Sequence, residues 1–361
     1  MTALAFATLA IAAVVYASLY PFEGWRRDSP GISDWLFAPW PRYWTGLDLW
    51  VNGLGYVPLG AVFVLVLARQ GGGRWRAALA VGVASALSLI LESVQSLMVH
   101  RVASNLDWAL NSLGAAVGVV LMDGCLRSAW LQRWASWRQA HLSAGAGLVS
   151  LVLGVWLLLL PLPLFVPFAV GRLPPEWIDL FWRVFPADLG DKLGVPSALP
   201  MPWAQLDERI QVAVVALLLL TPTALLRFAW RQRLARVWAA WCLLACAVWV
   251  PTIAHVLTYG WTHAGDWLLP PVIWALVWVA ALVPVLMVLP RVWVLVLLAF
   301  GLPAQWLVVN LLAETGYWSM HWQAFAQGRF VRWYGLLGWL AVAWPLLATA
   351  VLLRIRSQNR P

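Results

Sequence analysis

The chain has 361 residues, 63% of them hydrophobic and 11% charged, where a soluble domain is nearer half apolar and a quarter charged. Its apolar residues fall in continuous runs of about twenty, the length of a helix that crosses ~30 Å of hydrocarbon, which excludes a soluble globular protein and a barrel of alternating strands. The formal charge of +9 includes a single lysine, Lys192, so it reads as arginine set at helix ends to fix orientation rather than as a nucleic-acid surface.

In chain order the runs predict an all-α, polytopic transmembrane bundle of about ten spans. Their approximate limits are 2–20, 48–69, 75–99, 105–126, 142–166, 208–226, 237–259, 269–289, 292–313 and 334–353. The first run has no basic region before it and no small-residue cleavage site, so it reads as an uncleaved helix. Proline inside the later runs is tolerable where neighbours re-satisfy the freed carbonyls.

Arginines fall after the even-numbered spans: Arg69, Arg74 and Arg76; Arg127, Arg133 and Arg138; Arg227, Arg231, Arg233 and Arg236; Arg291; and Arg354, Arg356 and Arg360. By the positive-inside rule that side is cytoplasmic, with both termini. The alternate loops, about 21–47, 167–207, 260–268 and 314–333, are Trp- or Pro-rich and should face outward. The loop at 167–207 should carry a short interfacial helix at "PEWIDLFWRVF", with Pro175 in its first turn and Glu176 at its dipole end. Of the 29 tryptophans, many lie near predicted helix ends, where indoles anchor in the interface, among them Trp25, Trp35, Trp40, Trp44, Trp50, Trp261 and Trp267. Cys242 and Cys246 share a helix face and read as a buried pair.

The polar pattern divides the chain into a four-helix domain at 1–126 and a six-span domain at 127–361. In the first domain three helices each carry an acid or amide pair near the outer end. Asp48 and Asn52 are four apart, Glu92 and Gln95 three, and Asp107 and Asn111 four, so each pair occupies one helix face. Gly55 and Tyr56, Ser88 and Ser85, and Gly114 and Gly118 continue the stripes inward. Small faces let helices approach closely in lipid. The pairs should therefore line a pocket open to the outer surface, with Arg101 in the connecting turn. Ionisable groups inside a membrane commonly mark function. The same groups also suit a purely structural clamp, with Arg101 pairing to Glu92 or Asp107.

Three segments carry a resemblance. "YASLYPF" (Tyr16 to Phe22), "NGLGYVPLG" (Asn52 to Gly60) and "ESVQSLMVHRVASNLDWALNSLGAAVG" (Glu92 to Gly118) resemble the VanZ-like family. The matching residues are Asn52, Pro58, Gly60, Glu92, Gln95, Arg101, Asp107, Asn111, Gly114 and Gly118, within about residues 10–125. The resemblance implies an integral protein of the bacterial envelope, hence of the cytoplasmic (inner) membrane for a helical bundle. It also implies an association with low-level resistance to the glycopeptide teicoplanin. It supplies no catalytic residues. The six-span part, including "QGRFVRWYGLLGWL", resembles extensions of longer Gram-negative members, in which such a drug role is less apt.

Elsewhere, Arg329 and Arg332 beside Trp333 and Tyr334 could hold a lipid phosphate. His263 and Asp266, with His255 or His321, match no metal-site spacing, so neither metal nor cofactor is expected. Two function classes compete. One is an envelope protein that binds or shields a membrane lipid or lipid-linked cell-wall precursor through Asp48, Asn52, Glu92, Gln95, Arg101, Asp107 and Asn111. The other is a membrane-embedded hydrolase or transferase on such a substrate, with Glu92 or Asp107 as general acid or base. The sequence fixes neither the ligand nor the oligomeric state.

Overall fold

The structure is a computed structural model that describes residues 3–20, 22–26, 31–42, 46–99, 101–162, 164, 166–173, 177, 201–313 and 331–358. The chain forms two compact units, Met1–Trp137 and Arg138–Pro361.

In the first unit the helices are α1 (Ala3–Leu19), α2 (Ile32–Leu36), α3 (Gly46–Arg69), α4 (Arg76–Gln95) and α5 (Asn105–Arg127). A further helix, α6 (Trp130–His141), follows α5 where a loop was expected. Its Trp130, Trp134 and Trp137 stack successively, with ring centroids 6.0 and 5.1 Å apart. The second unit contains α7 (Ala146–Leu159), α8 (Glu208–Leu225), α9 (Arg233–Tyr259), α10 (Pro270–Val288), α11 (Arg291–Leu311) and α12 (Val331–Gln358).

Each of the ten expected spans has a helix. Eight are long and apolar enough to cross a membrane, and the apolar helices at Phe6–Leu19 and Ala146–Leu159 are shorter. Glycine sets how tightly the first unit packs. A Cβ at Gly114 would fall 1.9 Å from Gly53 O, one at Gly118 1.9 Å from Val57 O, and one at Gly60 2.1 Å from Ala115 O. The α3 and α5 backbones therefore touch, and no side chain fits between them. Gly55, expected on this face, instead meets open space, as would a Cβ at Gly53, whose carbonyl alone abuts Gly114; Gly60 is the α3 glycine that has no room for a side chain against α5. The register follows: the N-terminal turns of α3 and α5 lie at one end of the unit, beside the C-terminal turn of α4.

Several span limits differ from expectation by four residues or more, among them the start of α9 at Arg233 and the end of α12 at Gln358, and two of the differences have a tertiary cause. α4 ends at Gln95, not near Val99, because the next residues pair with the loop after α1. Val99 N–H donates to Gly24 O and Arg26 N–H to Leu97 O, both at 2.8 Å, closing a Trp25–Met98 bridge. Phe22 and Gly24 take positive φ, 65° and 73°, to make this turn. The fifth span, expected to reach residue 166, stops at Leu159. At 14 residues it is about 21 Å long, short of the ~30 Å core. The chain continues as an irregular buried segment in which Val166, Phe168, Ala169 and Val170 are all buried. Irregular backbone at membrane depth requires partners from protein. α11 supplies them: Gln305 Nε2 donates to Val170 O (3.3 Å), Asn310 Nδ2 to Gly171 O (3.1 Å), and Leu173 N–H to Asn310 Oδ1 (2.8 Å). Gly171, at φ 111°, lies against Pro345.

Elsewhere in this unit a two-residue parallel pairing joins Met201–Pro202 to Leu312–Ala313. The core is mainly aliphatic and holds a few buried aromatic residues, with Trp156 against Phe168, Phe168 against Trp267, and Trp344 Nε1 donating to Val152 O at 2.9 Å.

Several local expectations change. Cys242 and Cys246 are exposed on α9 and are not a buried pair, because the α9 core face is occupied by Ala240, Leu243, Leu244 and Ala247. Trp35 and Trp267 are buried, whereas Trp25, Trp40, Trp50 and Trp261 are exposed as interface anchors would be. The helix expected at "PEWIDLFWRVF" lies, apart from Trp177, outside the described residues.

Candidate functional site

Glu92 and Gln95 occupy the last turn of α4, Asp107 the first turn of α5 and Asn111 the second. Asn52 immediately precedes Gly53, whose carbonyl abuts Gly114. All five therefore lie toward one end of the α3–α4–α5 bundle. Asp48 falls within α3, but its side chain is outside the described residues. Arg329 is also outside them, and Arg332 is described only as part of the α12 backbone.

The α4–α5 connection follows from its sequence. Ser104 caps α5, its Oγ accepting from Asp107 N–H at 3.3 Å. Ser-x-x-Asp is a helix-start signature. The Ser104 N–H, left over by the cap, donates to Glu92 Oε2 at 2.9 Å. A carboxylate thus binds the chain at the mouth of the next helix, where the dipole favours negative charge.

The other polar groups reach further than sequence proximity suggests. Gln95 Nε2 donates to Ser18 O at 2.8 Å, and Arg101 Nη2 to Tyr20 O at 2.6 Å. Both tie the end of α1 to this cluster. There Tyr16 stacks on Tyr20 (5.1 Å) and meets Phe22 edge-on (5.7 Å), which uses the aromatic residues of "YASLYPF". Asn105 Nδ2 donates to Ala38 O at 2.6 Å, holding the segment after α2 over the start of α5.

Burial is high. Glu92 is 4% exposed, Gln95 6% and Asn111 6%. Below them Asn111 Nδ2 donates to Ser88 Oγ at 3.0 Å, Ser112 Oγ to Ser85 Oγ at 2.8 Å, and Trp108 Nε1 to Ser85 O at 3.2 Å. The serines read as packing residues in the sequence therefore carry hydrogen bonds between α4 and α5.

In the same layer the buried Asn111 Oδ1 has no hydrogen-bond partner, and the buried Tyr56 hydroxyl has none of good geometry, although the Ser88 side chain is close enough to interact with it. Tyr56 is 4% exposed and lies near Ser88 and Glu92. Leaving a buried polar group unsatisfied costs roughly 1–3 kcal/mol. Tyr56 was visible in the sequence only as one residue of a stripe; its position beside Glu92 depends on the glycine-governed approach of α3.

At the opposite end of the bundle Asp123 accepts from Arg76 Nε at 2.8 Å and from Arg127 Nε at 2.6 Å. This clamp was not expected. Its signals were an acid at the arginine-rich end of a span and the i,i+4 spacing to Arg127. In the second unit His263 Nδ1 meets Asp266 Oδ2 at 2.8 Å, both groups well exposed, while His255 Nδ1 faces Pro251 O at 2.9 Å.

Comparison with known proteins adds one finding. Residues 3–127, the first unit almost in full, match the family model described as VanZ/LLP1. No curated protein and no solved structure matches the chain.

Proposed function

We propose that the VanZ-like unit of this multi-pass membrane protein binds, on its outward end, the polar head of a membrane lipid or lipid-linked cell-wall precursor. In this reading the protein sits in the bacterial cytoplasmic membrane with both termini inside. The polar cluster at the α4–α5 turn then faces the outer leaflet. Asn52, Glu92, Gln95, Arg101, Asp107 and Asn111 form the site, with Asp48 at its α3 edge.

One observation carries the reading. A clamp alone would use its buried polar atoms on one another. Gln95, Asn105 and Arg101 do so through backbone carbonyls. Asn111 Oδ1 does not, and the Tyr56 hydroxyl, near Ser88 and Glu92, makes no bond of good geometry. They offer an acceptor and a donor–acceptor pair, which suits a ligand carrying hydroxyl or amide groups. The family likeness extends the proposal to protection of a cell-wall precursor from a teicoplanin-type glycopeptide.

The test is to purify wild type and Glu92→Gln in native lipid and identify retained lipids, and any product formed with time, by mass spectrometry. A binder retains a specific lipid in the wild type, loses it in the variant, and forms no product. Turnover abolished in Glu92→Gln would instead make the protein a hydrolase or transferase on a lipid-linked substrate. A folded variant with unchanged lipid would reduce the cluster to a clamp.

A further inference from the structure

The second unit has a feature that the reading above does not use. The turns between α8 and α9, and between α10 and α11, are flanked by arginines: Arg227 just after α8, Arg233 and Arg236 in the first turn of α9, and Arg291 at the start of α11. The two turns touch, with Arg227 Nε donating to Leu289 O at 3.2 Å. Arg236 is only 7% exposed, and it donates from Nε to Trp230 O (2.8 Å) and from Nη2 to Arg231 O (2.6 Å). Arg227, Arg233 and Arg291 all lie close enough to Arg236 to repel it.

Orientation by the positive-inside rule needs arginines near the membrane surface, but it does not need them buried or crowded together. The carbonyls satisfy hydrogen bonds and carry no net charge. No Asp or Glu occurs between Glu208 and Asp266, or between Asp266 and Glu314. Among the described residues, then, no carboxylate offsets the cluster from either turn. Arg227 also keeps Nη1 buried with no hydrogen-bond partner.

Two helix starts add to the imbalance. α9 begins at Arg233 and α11 at Arg291; neither has a side-chain cap or an acid in its first turn. Their free N–H groups and dipole ends favour an anion. Guanidinium forks suit phosphate oxygens in particular.

We propose that this basic end of the second unit binds a phosphate group around Arg227, Arg233, Arg236 and Arg291. The phosphate belongs either to an anionic phospholipid of the adjoining leaflet or to a soluble phosphate. The site neutralises the cluster and ties the α8–α9 turn to the α10–α11 turn.

The experiment uses the full-length protein and the double variant Arg233→Gln/Arg291→Gln, whose altered side chains are exposed and whose folding is checked by its unfolding temperature. One arm reconstitutes each in vesicles of phosphatidylcholine with phosphatidylglycerol and reads retained phosphatidylglycerol by native mass spectrometry. The other titrates inorganic phosphate into delipidated protein against sodium chloride of equal ionic strength and reads the unfolding temperature. Phosphatidylglycerol retention without a phosphate response assigns the lipid, and a phosphate-specific rise assigns the soluble ion. Either should weaken about tenfold in the variant. Wild type that responds to neither, or a variant indistinguishable from wild type, overturns the site.

Discussion

Asn111 donates from its amide to Ser88 and holds its carbonyl oxygen buried without a partner, and the buried Tyr56 hydroxyl, close to the same Ser88, makes no bond of good geometry. Stability alone gives no reason to keep both groups. Tyr56→Phe removes the hydroxyl and preserves the packing. In the ligand-free protein it should therefore change unfolding free energy by no more than about 1 kcal/mol. It should also weaken lipid retention markedly. Unchanged retention, read by mass spectrometry, would show that the hydroxyl plays no part in binding. Glu92 is different, because its Oε2 accepts from Ser104 N–H. Its substitution touches both the ligand and the turn, so its folding must be measured alongside.

At the scale of elements, glycine rather than charge sets the geometry of the first unit. Backbone contact at Gly53–Gly114 and Val57–Gly118 places α3 against α5, and that contact sets the level of Asn52 and Tyr56 against Asn111. Gly114→Ala must push the helices apart, and overpacking of this kind costs typically 1–3 kcal/mol. Gly55→Ala, where a Cβ meets nothing within 4 Å, should be neutral or slightly stabilising, since alanine is the better helix former. Unfolding of the two variants in detergent should separate them clearly, and equal stability would refute the close crossing. The four-residue glycine spacing on α5 was readable as a packing face. Which α3 glycine met it was not readable, because helix rotation depends on the partner surface.

For the whole molecule, ten apolar runs became ten helices, since a twenty-residue apolar stretch has few other ways to satisfy its backbone in lipid. The polar pairs of α4 and α5 were also readable, from spacing alone. Tertiary partners hid the rest. α4 ends early because Val99 and Arg26 bond across to the neighbouring loop. α7 ends early because Asn310 and Gln305, more than 130 residues later, take over the hydrogen bonds of the buried segment. Asp123 paired with two arginines where none was expected to matter. The central claim is that the polar end of the first unit receives a lipid head from the outer leaflet. The most direct measurement places a photo-crosslinking amino acid at the half-buried Asn52 and irradiates intact cells. The account predicts a specific lipid adduct at this position that is lost in Glu92→Gln, whereas the same probe at exposed Gly55, which faces bulk lipid, labels unselectively and is unaffected by that substitution. The same unselective lipids at both positions, or crosslinks only within the protein, would contradict it.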